Sequence, residues 1–253
     1  MELQTHFIRY EKGITEEGYK LICLPYAGGG ASTFVKWQAA FGNRLEVLPV
    51  QLPGRENRVA EPLIQDFQEA VDQVYAALSP YVQDHNFSIF GHSMGGIIGF
   101  ALARRFEEAG CYPDFCFISA TSLEDKSLLT KSKDLDDDEF FQRVSDYGGI
   151  DTSSEILQYP EFKEIFLKIL RADFNLIESY PYEQGDLQCP IVGFCGTEDP
   201  MESPQVMESW KDHTASGAEF HTFPGGHFYF MEEPKPLCDT IARYIGQREV
   251  STR

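Results

Sequence analysis

Residues 87–110, FSIFGHSMGGIIGFALARRFEEAG, constrain this chain more than any other stretch. Alternating apolar residues Phe87 and Ile89 lead into Gly91-His92-Ser93-Met94-Gly95, and helical periodicity follows through Ile97, Ile98, Leu102 and Phe106. The pattern predicts a strand, a tight turn with serine at its apex, and a helix leaving the turn. Gly91 and Gly95 carry no β-carbons, so the helix start can pack close to the strand while Ser93 takes a strained conformation. Such a turn lifts the hydroxyl out of the sheet. It also sets it beside a helix N-terminus, whose unpaired N–H groups favour negative charge.

Composition narrows the choices. With 253 residues the chain can bury one sizeable core, and we expect 1–253 to form a single domain. No apolar run approaches the roughly 18 residues of a membrane span. The N-terminus lacks a basic stretch followed by an apolar one, so no secretory leader is expected. Forty acidic residues against 21 basic give a formal charge of −19. A field of that sign repels nucleic acid and anionic membranes, which excludes both as main partners. Cys23, Cys116 and Cys195 lie in apolar strand-like runs, where a free thiol behaves as a small hydrophobe. Cys111, Cys189 and Cys238 complete no metal-ligand spacing, so no metal and a reducing, cytoplasmic setting are expected.

Along the chain, residues 5–10 suggest a short edge strand and 19–25 a central one, with a helix from about Ser32 that Ser32 can cap. Residues 45–52 read as a strand closed by Pro53-Gly54-Arg55-Glu56, and 66–83 as a crossover helix leading to the serine turn. A strand at 114–120 follows. Strands alternating with amphipathic helices indicate an α/β fold with a mostly parallel sheet flanked by helices. The region 121–183 breaks this rhythm. It holds a helix at 137–146, a Gly148-Gly149 turn and a long helix at 160–179, and reads as a helical lid or as a decoration without a gating role. Asp134, Asp136, Asp137 and Asp138 suit a solvated helix start. Sheet pattern resumes at 189–200, followed by a helix near 204–214, a strand at 218–223, the loop PGGHFYF and a helix from about 233 to 246.

This order fits the α/β-hydrolase fold, in which a serine on such a turn is followed along the chain by an acid and then a histidine. A serine hydroxyl is a poor nucleophile until a base takes its proton and a third group orients the base. Asp199 follows the strand IVGFCG and is favoured as the acid, with Glu198 as the alternative; His227 follows the last strand after two glycines. His92, inside the turn, reads as a packing or locally bonded residue, His221 lies within a strand, and His213 near a helix end. His6 and His85 look like surface positions, and Asp173 an ion-pair or hydrogen-bond position. The loop Tyr26-Ala27-Gly28-Gly29-Gly30 is either a flexible turn or the donor of one oxyanion N–H, from Ala27, with Met94 giving the other. Two such donors are each worth roughly 3–4 kcal/mol.

The set Leu24-Pro25-Tyr26-Ala27-Gly28-Gly29, Leu52-Pro53-Gly54-Arg55-Glu56, Gly91-His92-Ser93-Met94-Gly95-Gly96, Leu170-Arg171-Ala172-Asp173-Phe174, Gly196 with Asp199, and Gly225-Gly226-His227-Phe228 resembles the type II thioesterases. These are free-standing editing enzymes of nonribosomal peptide and polyketide synthesis. The chain departs from many relatives at Tyr26, where they have His, and at Ala120-Thr121-Ser122-Leu123, where a Gly-Arg-Ala-Pro-like run is usual. The resemblance implies hydrolysis of acyl groups from the phosphopantetheine arm of acyl or peptidyl carrier proteins, by a monomer needing no cofactor. Tyr26, Arg171 and Phe228 are then expected to line the substrate path or lid. Carrier proteins of such systems are acidic, as this chain is, so long-range attraction should be poor. Docking is expected on a local basic patch drawn from Arg55, Arg58, Lys126, Lys131 and Lys133, or through an apolar contact. The rivals are a carboxylesterase, a non-catalytic binding protein on the same fold, and a cyclising terminal domain. The last is disfavoured because only about 18 residues precede the first core strand, too few for an upstream carrier domain.

Overall fold

Apolar residues on both faces of the central strands require a sheet covered on both sides. A computed structural model shows how this is met; it describes Phe7 and residues 18–123, 132–146, 159–181 and 185–251. The strands are β1 (Lys20–Leu24), β2 (Glu46–Pro49), β3 (Phe87–His92), β4 (Cys116–Ser119), β5 (Ile191–Gly196) and β6 (Ala218–Phe223). They form one six-stranded sheet in the order β2-β1-β3-β4-β5-β6, and every pairing is parallel.

Alternation along the strands divides the core. Ile22, Leu24, Ile89, Cys116 and Ile118 face one layer, with α3 (Phe67–Val82) and α4 (Met94–Glu108). Leu21, Cys23, Phe90, Phe117 and Phe194 face the other, with α1 (Ser32–Val35), α2 (Trp37–Phe41) and α8 (Lys235–Ser251). In α3, Asp66 caps the start by accepting the Glu69 N–H at 2.9 Å, and Phe67, Ala70, Val71, Val74 and Leu78 form the buried stripe.

Two helices between β4 and β5 stand on the C-terminal edge of the sheet: α5 (Asp137–Asp146) and α6 (Pro160–Glu178). Phe140 and Val144 of α5 pack with Leu167 and Leu170 of α6, and Ala27 of the loop after β1 joins this cluster. Asp136 accepts the N–H groups of Asp138 and Glu139 at the start of α5, so that acidic stretch is a helix cap. Among the described residues no group of acidic, His or Cys side chains could hold a metal ion, and no helix is long and apolar enough to cross a membrane.

Several local expectations change. The helix after β1 is two short helices, and Ser32 does not cap the first; its hydroxyl donates to Glu56 instead, at 2.6 Å. The helix near 204–214 is a four-residue α7 (Pro204–Met207) continued as a 3₁₀ turn over Glu208–His213. The final helix extends beyond 246. The edge strand at 5–10, apart from Phe7, and the Gly148-Gly149 turn lie outside the described residues.

Candidate active site

The chain reverses direction across the sheet between β1 and β3: β2 lies on one side of β1, and β3 to β6 extend from the other. In open parallel sheets the crevice at such a reversal, outside the strand C-termini, is where ligands bind. Ala27 follows β1 there, and Ser93 follows β3.

Ser93 has φ +53° and ψ −121°, a region an L-residue enters only when its surroundings enforce it. The enforcement is steric. A β-carbon on Gly91 would collide with the Gly95 carbonyl, one on Gly95 with the Leu24 carbonyl, and one on Gly96 would lie 2.5 Å from Thr121 Cγ2. The Ser93 N–H donates to the Ser119 carbonyl of the neighbouring strand at 2.8 Å, and Gly96 N–H to the Ser93 carbonyl at 2.8 Å. Met94 is the first residue of α4, where amides have no intrahelical acceptor.

His227 and Asp199 come together from loops after β6 and β5, with Nδ1 2.9 Å from Asp199 Oδ2. Both are buried. Asp199 is itself held, since its Oδ1 accepts the N–H groups of Met201 at 2.9 Å and Glu202 at 3.2 Å. Glu198, the alternative acid, points into solvent. With Nδ1 engaged by a carboxylate, His227 has Nε2 available for a hydroxyl proton, the arrangement that activates a serine.

Tyr26 and Phe228 frame the site, edge to face with ring centroids 4.7 Å apart, and Phe228 lies 5.2 Å from the His227 ring. Arg171 of α6 turns toward α5: its guanidinium donates to Asp137 at 2.7 Å, to the Leu135 carbonyl at 2.9 Å, and lies over the Phe140 ring. His92 is fully buried, its Nδ1 2.9 Å from Ser119 Oγ, and Ser119 Oγ is 2.8 Å from the Tyr229 hydroxyl. Burial, and secondarily the nearby His227, holds the His92 imidazole well below its ordinary pKa. Among the described residues its Nε2 has no hydrogen-bond partner. His221 bonds Tyr244 at 2.7 Å, and His213 packs on Phe100.

The expected basic patch does not form as drawn. Arg55 is 3% exposed and makes a forked pair with Asp173, Nη1 to Oδ2 at 2.6 Å and Nη2 to Oδ1 at 2.7 Å. Arg58 is also buried, pairing with Glu61 and donating to the Gln51 carbonyl. Arginines in a loop suggest solvent in the sequence; here they are drawn inward because carboxylates and carbonyls within the fold replace their hydration. Lys133 is exposed and pairs with Glu178 at 3.0 Å; Lys126 and Lys131 lie outside the described residues. Sequence reasoning therefore missed Arg55 and Ser119 as site-supporting groups. The available signal was Asp173, a carboxylate among the apolar positions Ile169, Leu170 and Ile177 of α6, since a buried charge needs a partner. Removing one member of such a pair leaves the other buried and uncompensated, at a cost of about 3–5 kcal/mol.

The parallel sheet, the serine turn and the acid–imidazole pair at its C-terminal edge define an α/β-hydrolase. Residues 19–245 match the thioesterase domain, and the chain belongs to that family: it is a hydrolase acting on thioesters. It is 37% identical over 224 residues to the human medium-chain S-acyl fatty acid synthase thioesterase, covering 86% of this chain and 83% of that protein. It is 34% identical to the gramicidin S biosynthesis protein GrsT of Aneurinibacillus migulanus, covering 89% and 88%. The solved type II thioesterase BorB from the borrelidin biosynthetic cluster superposes with a TM-score of 0.81 at 32% identity, covering 96% of this chain and 97% of that one.

Proposed function

We propose that this thioesterase removes acyl or aminoacyl groups from the phosphopantetheine arms of carrier proteins, clearing misprimed carriers in nonribosomal peptide or polyketide synthesis. Ser93 Oγ attacks the thioester carbonyl as His227 Nε2 takes its proton. Asp199 holds the imidazole and stabilises its charged form. The Ala27 and Met94 N–H groups receive the oxyanion. Collapse expels the pantetheine thiol, which takes the proton from His227. A water deprotonated by the same imidazole then attacks the acyl-serine, the Ser93 oxygen leaves with that proton, and the free acid departs. The observation that carries this reading is the 2.9 Å Asp199–His227 bond at the edge from which Ser93 projects.

No resident cofactor enters these steps. The reading includes a monomer in the cytoplasm whose helices α5 and α6 form the lid. With Arg55 and Arg58 buried, carrier contact is assigned to apolar surface, for which Tyr159, just before α6, and Phe162 and Ile165 on it are exposed. A second reading is favoured by the human relative at 37% identity, named for a fatty acid synthase: release of medium-chain acyl groups from such a carrier.

A panel of aminoacyl, short and medium-chain carrier thioesters, with an oxygen ester as control, separates the readings. Ser93→Ala is expected to abolish turnover and fluorophosphonate labelling. Asp199→Asn should lower kcat by about 10⁴-fold, whereas Glu198→Gln should stay within about threefold. Full turnover by Ser93→Ala overturns the proposal.

A further inference from the structure

The oxyanion loop is not held by its own glycines. It is held by Asp173, 145 residues away on α6, whose Oδ2 accepts the Gly28 N–H at 2.7 Å. The same oxygen accepts Arg55 Nη1, and Arg55 also reaches the Gly29 carbonyl at 3.3 Å. We propose that the Arg55–Asp173 pair is a positioning device for the Ala27 oxyanion donor, so that the seating of α6 sets the transition-state contact. This inference rests on the catalytic reading above.

Peptide geometry supplies the link. Gly29 N–H donates to the Tyr26 carbonyl at 2.9 Å, closing a turn over Ala27 and Gly28. The Tyr26 carbonyl and the Ala27 N–H share one planar trans peptide, so they point in opposite directions. Fixing that carbonyl inside the turn therefore aims the Ala27 N–H outward. The next peptide is fixed by Asp173 through Gly28 N–H, and Arg55 holds the Gly29 carbonyl. Flanking ties keep the rest of the loop in place: Ala31 N–H donates to Gln51 Oε1 at 3.0 Å, and Ser32 Oγ to Glu56 Oε1 at 2.6 Å.

Packing from α6 acts on the same residue. Gly28 has φ +82°, and a β-carbon there would lie 2.9 Å from Phe166 Cε2 and 3.3 Å from Leu170 Cδ1. One helix thus supplies both the carboxylate that orients the loop and the side chains that cover it. A shift of α6 away from the sheet would release Gly28 and let the turn rotate.

The test removes the pair together, Arg55→Met with Asp173→Leu, so that no unpaired charge stays buried. Active sites are counted by fluorophosphonate titration, and turnover of a free small thioester is expressed per titrated site. We expect kcat per site to fall by about 10²-fold, as for loss of an oxyanion donor, with KM changed less than threefold. Affinity for a trifluoromethyl ketone analogue, which forms an oxyanion on the serine, should fall in parallel, while affinity for the product acid should not. Should the double variant lose its native melting transition, Arg55→Lys is measured in its place; it retains the charge but loses the fork, and a fall of at least tenfold in kcat per site with unchanged KM is expected. A merely structural pair would reduce the number of titratable sites and leave kcat per site and ketone affinity unchanged; that result overturns the inference. Ser93→Ala, run in parallel, separates the two levels. If it turns over normally, the catalytic reading fails and takes this one with it; if it is dead while the pair variants match wild type per site, only the positioning role is lost.

Discussion

Two non-glycine residues at the strand ends carry positive φ: Ser93 at +53° and Ala120 at +50°. They sit one after β3 and one after β4, on adjacent strands whose register sets His92 opposite Ser119. For Ser93 the strain has a use, since it projects the hydroxyl from the strand end. At Ala120 the positive φ is one that glycine adopts without a β-carbon clash. Replacing it by glycine relieves about 1–2 kcal/mol of left-handed strain. That gain is opposed by about 0.4–1 kcal/mol of unfolded-chain entropy and about 0.8 kcal/mol for a buried methyl group. Ala120→Gly should therefore lie within about 1 kcal/mol of wild type, whereas Ala120→Val, β-branched at the same φ, should lose more than about 2 kcal/mol. Urea midpoints measure both; a Val variant as stable as wild type removes the strain argument.

At the level of elements, α5 and α6 behave as one unit because Arg171 joins them. Its donors to Asp137 and Leu135 and its stacking on Phe140 cross from one helix to the start of the other. Arg171→Ala should leave the sheet untouched and loosen α5 by about 1.4 kcal/mol, a tenfold faster amide exchange over 137–146. Unchanged exchange there would show that the apolar contacts among Phe140, Val144, Leu167 and Leu170 suffice. Boundaries of the long helices, α3, α5 and α6, were legible from periodicity and caps. The short ones were not. The stretch from Ser32 breaks at Lys36, and α7 yields to a 3₁₀ turn after four residues. In both, tertiary packing of Phe34, Trp37 and Trp210 outweighs helical propensity.

Across the whole molecule, a buried neutral histidine links the site to acid stability. The unfolded His92 titrates near 6.5, and its folded pKa lies well below that. Between the two values the unfolded chain binds a proton that the native state refuses, so stability rises with pH. The His92 contribution is thus neutral above about pH 6.5 and destabilising below it, by up to about 1.4 kcal/mol per pH unit until the folded pKa is reached. Urea midpoints from pH 5 to 8 should show this slope, and His92→Asn should flatten it; an equal slope in the variant assigns the effect elsewhere. The high negative charge adds self-repulsion in a different sense, easing as carboxylates protonate, so the variant comparison is what isolates His92.

Residue order alone determined the layered α/β fold and the succession of a turn serine, an acid at 198 or 199 and a loop histidine, because strand and helix periodicities and glycine-flanked turns are local properties. The pairing of Arg55 with Asp173, the choice of Asp199 over Glu198 and the inward turn of Arg58 were decided by tertiary structure. The first depends on which charges face one another once the chain has folded, across 118 residues, and no local pattern encodes a distance of that kind. Burial then selects the partner, since a charge removed from water persists only where another group replaces its solvation.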